Sequence, residues 1–337
     1  MSATQQQIAE ALGVSRQAVS FALSGGGTLS QETRAQIIKA ATEMGYRPNH
    51  SARAMRSGRF DYIALLLSTQ TNRTYLPGEL FRGILEELAL HDLHLNVTRL
   101  PDEKLSDQSF VPKIMRELKV DGLLIDYIFN VPEHLIKMIE QHQIPSIWVN
   151  SQRENDCVYP DDYQGAYKAT RHLLELGHRC IAYVQHPHNM HHSARERRRG
   201  YEQAMSEANL GSEVFSSADC HTEEALLATQ LEAWLRSEKR PTAVFAYEAY
   251  YAMPILAAAT RAGLQVPGQL SLVGVHDELI SNPGFGISTM TLPVYEMGRT
   301  AVRMLLQKIA QPQKILEPCV LPLQWEAGRT CAPPQHS

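Results

Sequence analysis

The side chains best suited to specific recognition chemistry lie close to the N-terminus. Arg16 and Gln17 fall in the first turn of a short helix that Ser15 can start. An arginine fork matches the O6 and N7 edge of guanine and a glutamine pairs bidentately with adenine, each worth roughly 1 to 3 kcal/mol of discrimination. Ser20 and Phe21 are left on an outer face, because Val19 and Leu23, one turn apart, take the inner one. Other constellations are weaker. The run HPHNMHH at 186–192 has four histidines in seven residues, yet its spacing fits no standard metal site and Pro187 interrupts any helical face, so no metal is assigned. A histidine-lined loop that titrates near neutral pH, or donates to an anion, is the expectation there. Gly25, Gly26 and Gly27 follow a helix rather than a strand, so they read as a headpiece loop and not a phosphate cradle. Neither GxGxxG nor GxxxxGK[ST] follows a strand, and GxSxG is absent, which points away from enzymes and cofactors.

The elements that position Arg16 and Gln17 can be read around them. Thr4 and Gln7 have capping-box spacing, Ile8 and Leu12 form one face of a first helix, and Gly13 ends it with Val14 turning inward. This is the grammar of a helix-turn-helix, whose second helix enters the DNA major groove N-terminus first; an ordinary helical hairpin is the plain alternative. Ser30 starts a third helix with Ile37, Ile38, Ala41 and Met44 on its apolar side and Gly45 at its end. Then comes YRPNHSARAMRSGR, where Pro48 breaks the helix, Asn49 can cap a new one, and Arg53, Arg56 and Arg59 add positive charge.

Charge divides the 337 residues in the same place. Residues 1–59 carry seven basic and three acidic side chains, a net of +4, whereas the remainder carries 25 and 33, a net of −8. A basic headpiece suits a polyanion and an acidic body avoids it. Five widely spaced cysteines without a CxxC suggest free thiols in a reducing cytoplasm. The start MSATQQQ does not read as a signal peptide, and no apolar run approaches the roughly 20 residues of a membrane span, so a cytoplasmic protein is expected.

Beyond the basic segment, apolar runs at 62, 94, 121 and 145 alternate with helical patterns, and a second series follows at 180, 242 and 270. Such alternation predicts α/β architecture with parallel sheets. In GELFRGILEELALHD, Leu80, Ile84 and Leu88 make one stripe and Phe81 and Leu85 its neighbour, a band suited either to packing on the sheet or to building a dimer interface as well.

Over residues 4–59, IAEALGVSRQAVSFALSG and LSQETRAQIIKAATEMGYRPNHSARAM resemble the headpiece and hinge of LacI/GalR transcription regulators. The resemblance implies a three-helix headpiece at 1–47, a hinge at 48–60, and a two-lobed periplasmic-binding-protein-like body at 61–330. Lobe one would comprise about 61–160 and 291–320, and lobe two about 161–290 and 321–330. It further implies a homodimer, or a tetramer, on a pseudo-palindromic double-stranded operator, with no membrane partner. Thr4, Ser15, Arg16, Gln17, Ser20 and Phe21 would meet DNA, along with Asn49, Arg53, Met55 and Arg56 of the hinge, Met55 as an apolar wedge in the minor groove. Ala18 and Phe21 replace a threonine and an arginine usual in the family.

A small-molecule effector, a sugar or a sugar-derived acid or phosphate, would occupy the inter-lobe cleft and turn a repressor on or off. Arg197, three residues before Gly200, stands where the family arginine holds effector hydroxyls or carboxylates, and Asp161 where its crossover aspartate stands. Tyr75 and Leu76, Tyr247 and Glu248, and His276 replace other family contacts. A histidine where an acid is usual removes a repulsion against anions, which points to an anionic group held by Arg197. A solute-binding protein, or a ligand-processing enzyme fused to a DNA-binding module, is the rival reading.

One outcome follows from the second helix alone. Operators selected with Arg16→Ala should show relaxed preference at one position per half-site; unchanged preference everywhere would remove Arg16 from the reading set.

Overall fold

The computed structural model describes residues 3–46, 59–117, 120–185, 190–216, 224–277 and 286–335. The chain divides between Phe60 and Asp61 into two compact units, each taken by itself. The first contains α1 (Gln5–Leu12), α2 (Arg16–Ser24) and α3 (Gln31–Glu43). Both halves of the Thr4–Gln7 capping box form, and Gly13 adopts the left-handed conformation at φ 64° that lets the chain turn into α2. Ile8, Ala9, Val19, Ala22, Ile37 and Ala41 close a small core. Ile38 and Met44, expected on the inner side of α3, are instead 46 % and 37 % exposed, because Ile37 and Ala41, with Ala40 beside them, set the stripe that meets α1 and α2.

The body has two six-stranded sheets. Lobe one holds β1 (Tyr62–Ser68), β2 (His94–Leu100), β3 (Gly122–Asp126), β4 (Ser146–Val149), β5 (Cys157–Pro160) and β11 (Cys319–Leu321), in the order β11-β5-β4-β3-β1-β2. Lobe two holds β6 (Ile181–Gln185), β7 (Glu213–Ser216), β8 (Ala243–Ala246), β9 (Ser271–His276), β10 (Ser288–Thr291) and β12 (Gln324–Glu326), in the order β12-β10-β9-β8-β6-β7. Among the described residues all pairings are parallel except β10 with β12. Along β1, Ile63, Leu65 and Leu67 face one core while Ala64 and Leu66 face another, so the uninterrupted apolar run records a sheet covered on both sides.

The helices covering these sheets are α4 (Gly78–Leu90), α5 (Lys113–Glu117), α6 (Glu133–Gln141) and α11 (Val294–Ala310) on lobe one, and α7 (Asp162–Glu175), α8 (His192–Glu207), α9 (Glu224–Leu235) and α10 (Ala249–Arg261) on lobe two. The chain therefore passes between lobes after β5, after β10 and after β11. Strand β7 and helix α9 had no counterpart in the sequence expectation. In α4 the broad apolar band divides: Leu80, Ile84 and Leu88 are core, Phe81 packs at its edge, and Leu85 stays 41 % exposed.

Close helix pairs anchor each lobe. A Cβ on Gly83 of α4 would collide with the Tyr295 carbonyl oxygen, and one on Gly298 of α11 with that of Leu80, so two glycines set this crossing reciprocally. Beside it, Glu87, 4 % exposed, accepts from Arg299 and Arg303 of α11. In lobe two a Cβ on Gly200 of α8 would strike the Tyr163 carbonyl oxygen of α7. At the end of β3, Asp126 accepts from the Thr74 hydroxyl at 2.7 Å and from the Tyr75 N–H, fixing the segment that carries Tyr75. Burial pushes the Asp126 carboxyl up to about 7, against those hydrogen bonds.

Gly200→Ala should destabilise the body by about 1–3 kcal/mol in denaturant unfolding, because the clash is with backbone that cannot swing aside. An acid whose folded pKa lies above its unfolded one binds its proton more tightly when folded, so its contribution to stability declines as pH rises from about 4 to about 7. Asp126→Asn should flatten that part of the melting-temperature profile; an unaltered slope would show that the group does not titrate there.

Candidate functional site

Two surfaces gather the residues singled out by sequence. On the headpiece, Ser15 spends its hydroxyl as the α2 cap, accepting from Ala18 N–H at 3.1 Å, and Thr4 does the same for α1. Arg16, Gln17 and Phe21 are exposed on α2, and Ser20 is half-buried beside them. Phe21 also covers the loop after the helix, its ring occupying the space a Cβ on Gly27 would need. That loop is braced rather than loose. Arg34 of α3 donates to the carbonyls of Phe21 and Ala22 and to that of Gly26 at 3.0 Å, placing a cation at the α2 C-terminus. Sequence reasoning missed Arg34, since a contact between separate helices leaves no local pattern. Asn49, Arg53, Met55 and Arg56 lie outside the described residues.

The second surface is a cavity of ≈ 540 Å³ between the lobes of the body, at the carboxyl ends of their strands. Tyr75, Arg197, Tyr247, Glu248 and His276 line it. Leu76 does not; it packs against the lobe-one core, its side chain taken by hydrophobic contact. Asp161 does not either, because its carboxylate caps α7 by accepting from Gln164 N–H at 3.1 Å. The neighbouring carboxylate does more. Arg197, 5 % exposed, donates from Nε to Asp162 Oδ1 at 2.7 Å and from Nη1 to the Tyr247 carbonyl at 2.6 Å, with its guanidinium 4.6 Å above the Tyr247 ring. Burial works against the charge, but Asp162 beside it prevails and the guanidinium pKa rises. Arg197 therefore reaches the cavity with its charge balanced by Asp162.

The histidines differ from expectation too. His191 is 8 % exposed and burial lowers its pKa, so the neutral ring is the one present at pH 7. Its Nε2 donates to the Asn150 carbonyl of lobe one at 2.9 Å, which leaves Nδ1 to accept from Ser193 Oγ at 2.6 Å. Ser193 in turn accepts from the Tyr247 hydroxyl at 2.7 Å. His192 stands 3.7 Å from Asp162 Oδ2, yet burial drives its pKa far down, so this is no ion pair; both atoms lack a hydrogen-bond partner among the described residues. The remaining histidines of that loop, His186 and His188, lie outside the described residues.

Across the cavity mouth, the Tyr75 hydroxyl of lobe one donates to Asp277 Oδ2 of lobe two at 3.0 Å. His276 Nδ1 lies 3.0 Å from Asp277 Oδ1, and that hydrogen bond holds the Asp277 carboxyl below the usual range, against burial. Glu248 precedes α10 without capping it by its side chain, and burial raises its pKa, with Arg197 pulling the other way. Asn72, Phe129 and Asn150 complete the polar and aromatic lining. The arrangement can bind a polar small molecule and register its presence through hydrogen bonds that span the lobes.

Comparison with known proteins agrees with both surfaces. Residues 4–49 match the model for bacterial regulatory proteins of the lacI family, and residues 170–331 match a periplasmic binding protein-like domain. The chain is 30 % identical over 334 residues to the HTH-type transcriptional regulator DegA of Bacillus subtilis, covering 94 % of this chain and 96 % of that one. It is 29 % identical over 330 residues to the ribose operon repressor of Haemophilus influenzae, covering 95 % and 97 %. In fold it is similar to a solved lac repressor dimer bound to operator and an anti-inducer, with a TM-score of 0.79 at 22 % identity, over 98 % of this chain and 100 % of that one. Among the described residues no helix is long and apolar enough to cross a membrane. With a capped two-helix reading surface, a two-lobed α/β body and full-length similarity to such a regulator, the chain belongs to the LacI family of bacterial regulatory proteins.

Proposed function

We propose that this DNA-binding transcription regulator is a repressor, working as a homodimer, whose hold on a pseudo-palindromic operator is set by a small molecule in the inter-lobe cavity. The observation that carries the reading is the pair of hydrogen bonds joining the lobes at the cavity wall, Tyr75 to Asp277 and His191 to the Asn150 carbonyl. A ligand seated between these contacts changes the relative stability of lobe arrangements, and only such differential affinity can alter DNA binding. Relatives of similar length carry names such as ribose operon repressor, and a related solved structure is a dimer on its operator. Arg16 and Gln17, exposed at the start of α2, are the base-reading pair, with the hinge residues expected to add minor-groove contacts.

A solute-binding protein would share the body but has no use for a DNA-reading headpiece. A ligand-processing enzyme would need a nucleophile or acid–base pair facing the cavity. Here Ser193 and His191 are engaged with each other, with Tyr247 and with a backbone carbonyl, and Asp277, beside His276, accepts from Tyr75 of the other lobe, arrangements that hold the lobes together.

Tyr75→Phe keeps the ring and removes one lobe-spanning hydrogen bond, worth about 0.5–1.5 kcal/mol. Binding of the full chain to a selected operator, measured by fluorescence anisotropy, should change by roughly twofold to tenfold in affinity or in effector midpoint. The preferred operator sequence should stay the same. Operator affinity and effector response both identical to wild type would overturn the coupling between cleft and headpiece.

A further inference from the structure

Among the described residues, the charges around the cavity do not cancel. Arg197 is set against Asp162, and Asp277 is bonded to His276 and to the Tyr75 hydroxyl. Glu248 is left over. It lines the same cavity, and among the described residues its carboxylate has no hydrogen-bond or ion-pair partner. Electrostatic influence from Arg197, Asp277 and His276 all reaches it, so these groups share one field, and among the described residues that field carries a negative charge without a partner.

A second, independent observation lies on the opposite wall. Asn150 is 6 % exposed and lines the cavity, and although its main-chain groups bond to Val158 and His191, its side-chain amide has no partner among the described residues. An amide in a cavity wall with no protein partner is free to hydrogen-bond with what enters the cavity. Between these walls stand the rings of Tyr75, Phe129 and Tyr247, suited to the faces of a flat or cyclic molecule and, for a cation, to its charge.

From Glu248, Asn150 and the balanced Arg197 we infer that the effector is a hydroxylated small molecule carrying a protonated amine, with the ammonium held by Glu248 on the Asp277 side and a hydroxyl or carbonyl held by Asn150. The inference rests on the cavity being the effector site and goes further by giving the ligand's charge. An acid or a phosphate would meet Glu248 and Asp277 with no unopposed cation among the described residues to receive it. A neutral sugar would find hydrogen bonds but leave the charge of Glu248, at the cavity edge, without a partner. An amine supplies both a donor and the missing positive charge.

Isothermal titration of the full-length protein with one ring in several charge states tests this: glucosamine, glucose, N-acetylglucosamine and glucuronate, with the galactose series alongside. An amino sugar should bind about tenfold or more tightly than its neutral parent, and the uronic acid most weakly. Glu248→Gln, which keeps the size and removes the charge, should erase the preference for the amine, and Glu248→Asp should restore part of it. Asn150→Ala should weaken the amine and the neutral parent alike. An amino sugar that binds no better than its parent, whether both bind or neither does, overturns the amine assignment. If the parent sugar binds and Asn150→Ala weakens it, the cavity remains the effector site and only the charge assignment falls. If amine binding is tight but indifferent to both Glu248→Gln and Asn150→Ala, the ligand sits elsewhere and the cavity reading falls with it.

Discussion

Burying a guanidinium is unfavourable unless a counter-charge and hydrogen bonds accompany it, and the body of this protein is arranged around one such pair. Asp162 opens α7 and Arg197 lies one turn into α8, so the pair exists only if the two helices nearly touch. Gly200, three residues on from Arg197, permits that approach because it has no Cβ to meet the Tyr163 carbonyl. The spacing of arginine and glycine is thus a packing requirement as much as a ligand motif. With Arg197 fixed, Tyr247 is fixed too, through its carbonyl and its ring, and from Tyr247 the hydrogen-bonded series runs through Ser193 and His191 to Asn150 in the other lobe.

This dependence changes what an arginine in a binding site signifies. Read as a lone cation, Arg197 calls for an anion; read with Asp162, it is the donor half of a rigid ion pair without net charge. The charge that remains to be matched belongs to Glu248, a residue whose place after β8 makes it an N-cap by position but not by contact. Lobe two therefore brings carboxylates to the cavity, while lobe one contributes Tyr75, already donating, and the amides of Asn72 and Asn150.

Much of this was legible in the sequence, and the limits have physical reasons. The headpiece helices were readable because caps are local: Thr4 with Gln7, and Ser15 with the N–H of Ala18, lie three residues apart. The parallel sheets were readable because strands covered on both faces have no polar alternation, as in Tyr62–Ser68. Harder were elements without periodic contrast, such as Glu224–Leu235. In the cleft, the family resemblance indicated Arg197, Tyr247, Glu248 and His276, but not their partners. Asp161 and Asp162 are adjacent and chemically identical; one caps a helix and the other balances a charge, and only the geometry of a helix 35 residues away separates them. Leu76 shows the converse, a residue beside a true lining position that turns into the core because the next helix starts there.

The chain passes between the lobes three times, after β5, β10 and β11, and two of these passages are hydrogen-bonded to each other where Asp161 N–H meets the Leu321 carbonyl at 2.8 Å. At the third, Leu292 packs against the cores of both lobes. Three tethers leave the lobes little freedom to slide or separate, whereas rotation about the tethered edge deforms only a few backbone dihedrals. The protein thus measures its effector as an angle: a molecule whose size or hydrogen-bonding groups prop the mouth open and one that draws it shut differ in sign, though both fill the same space.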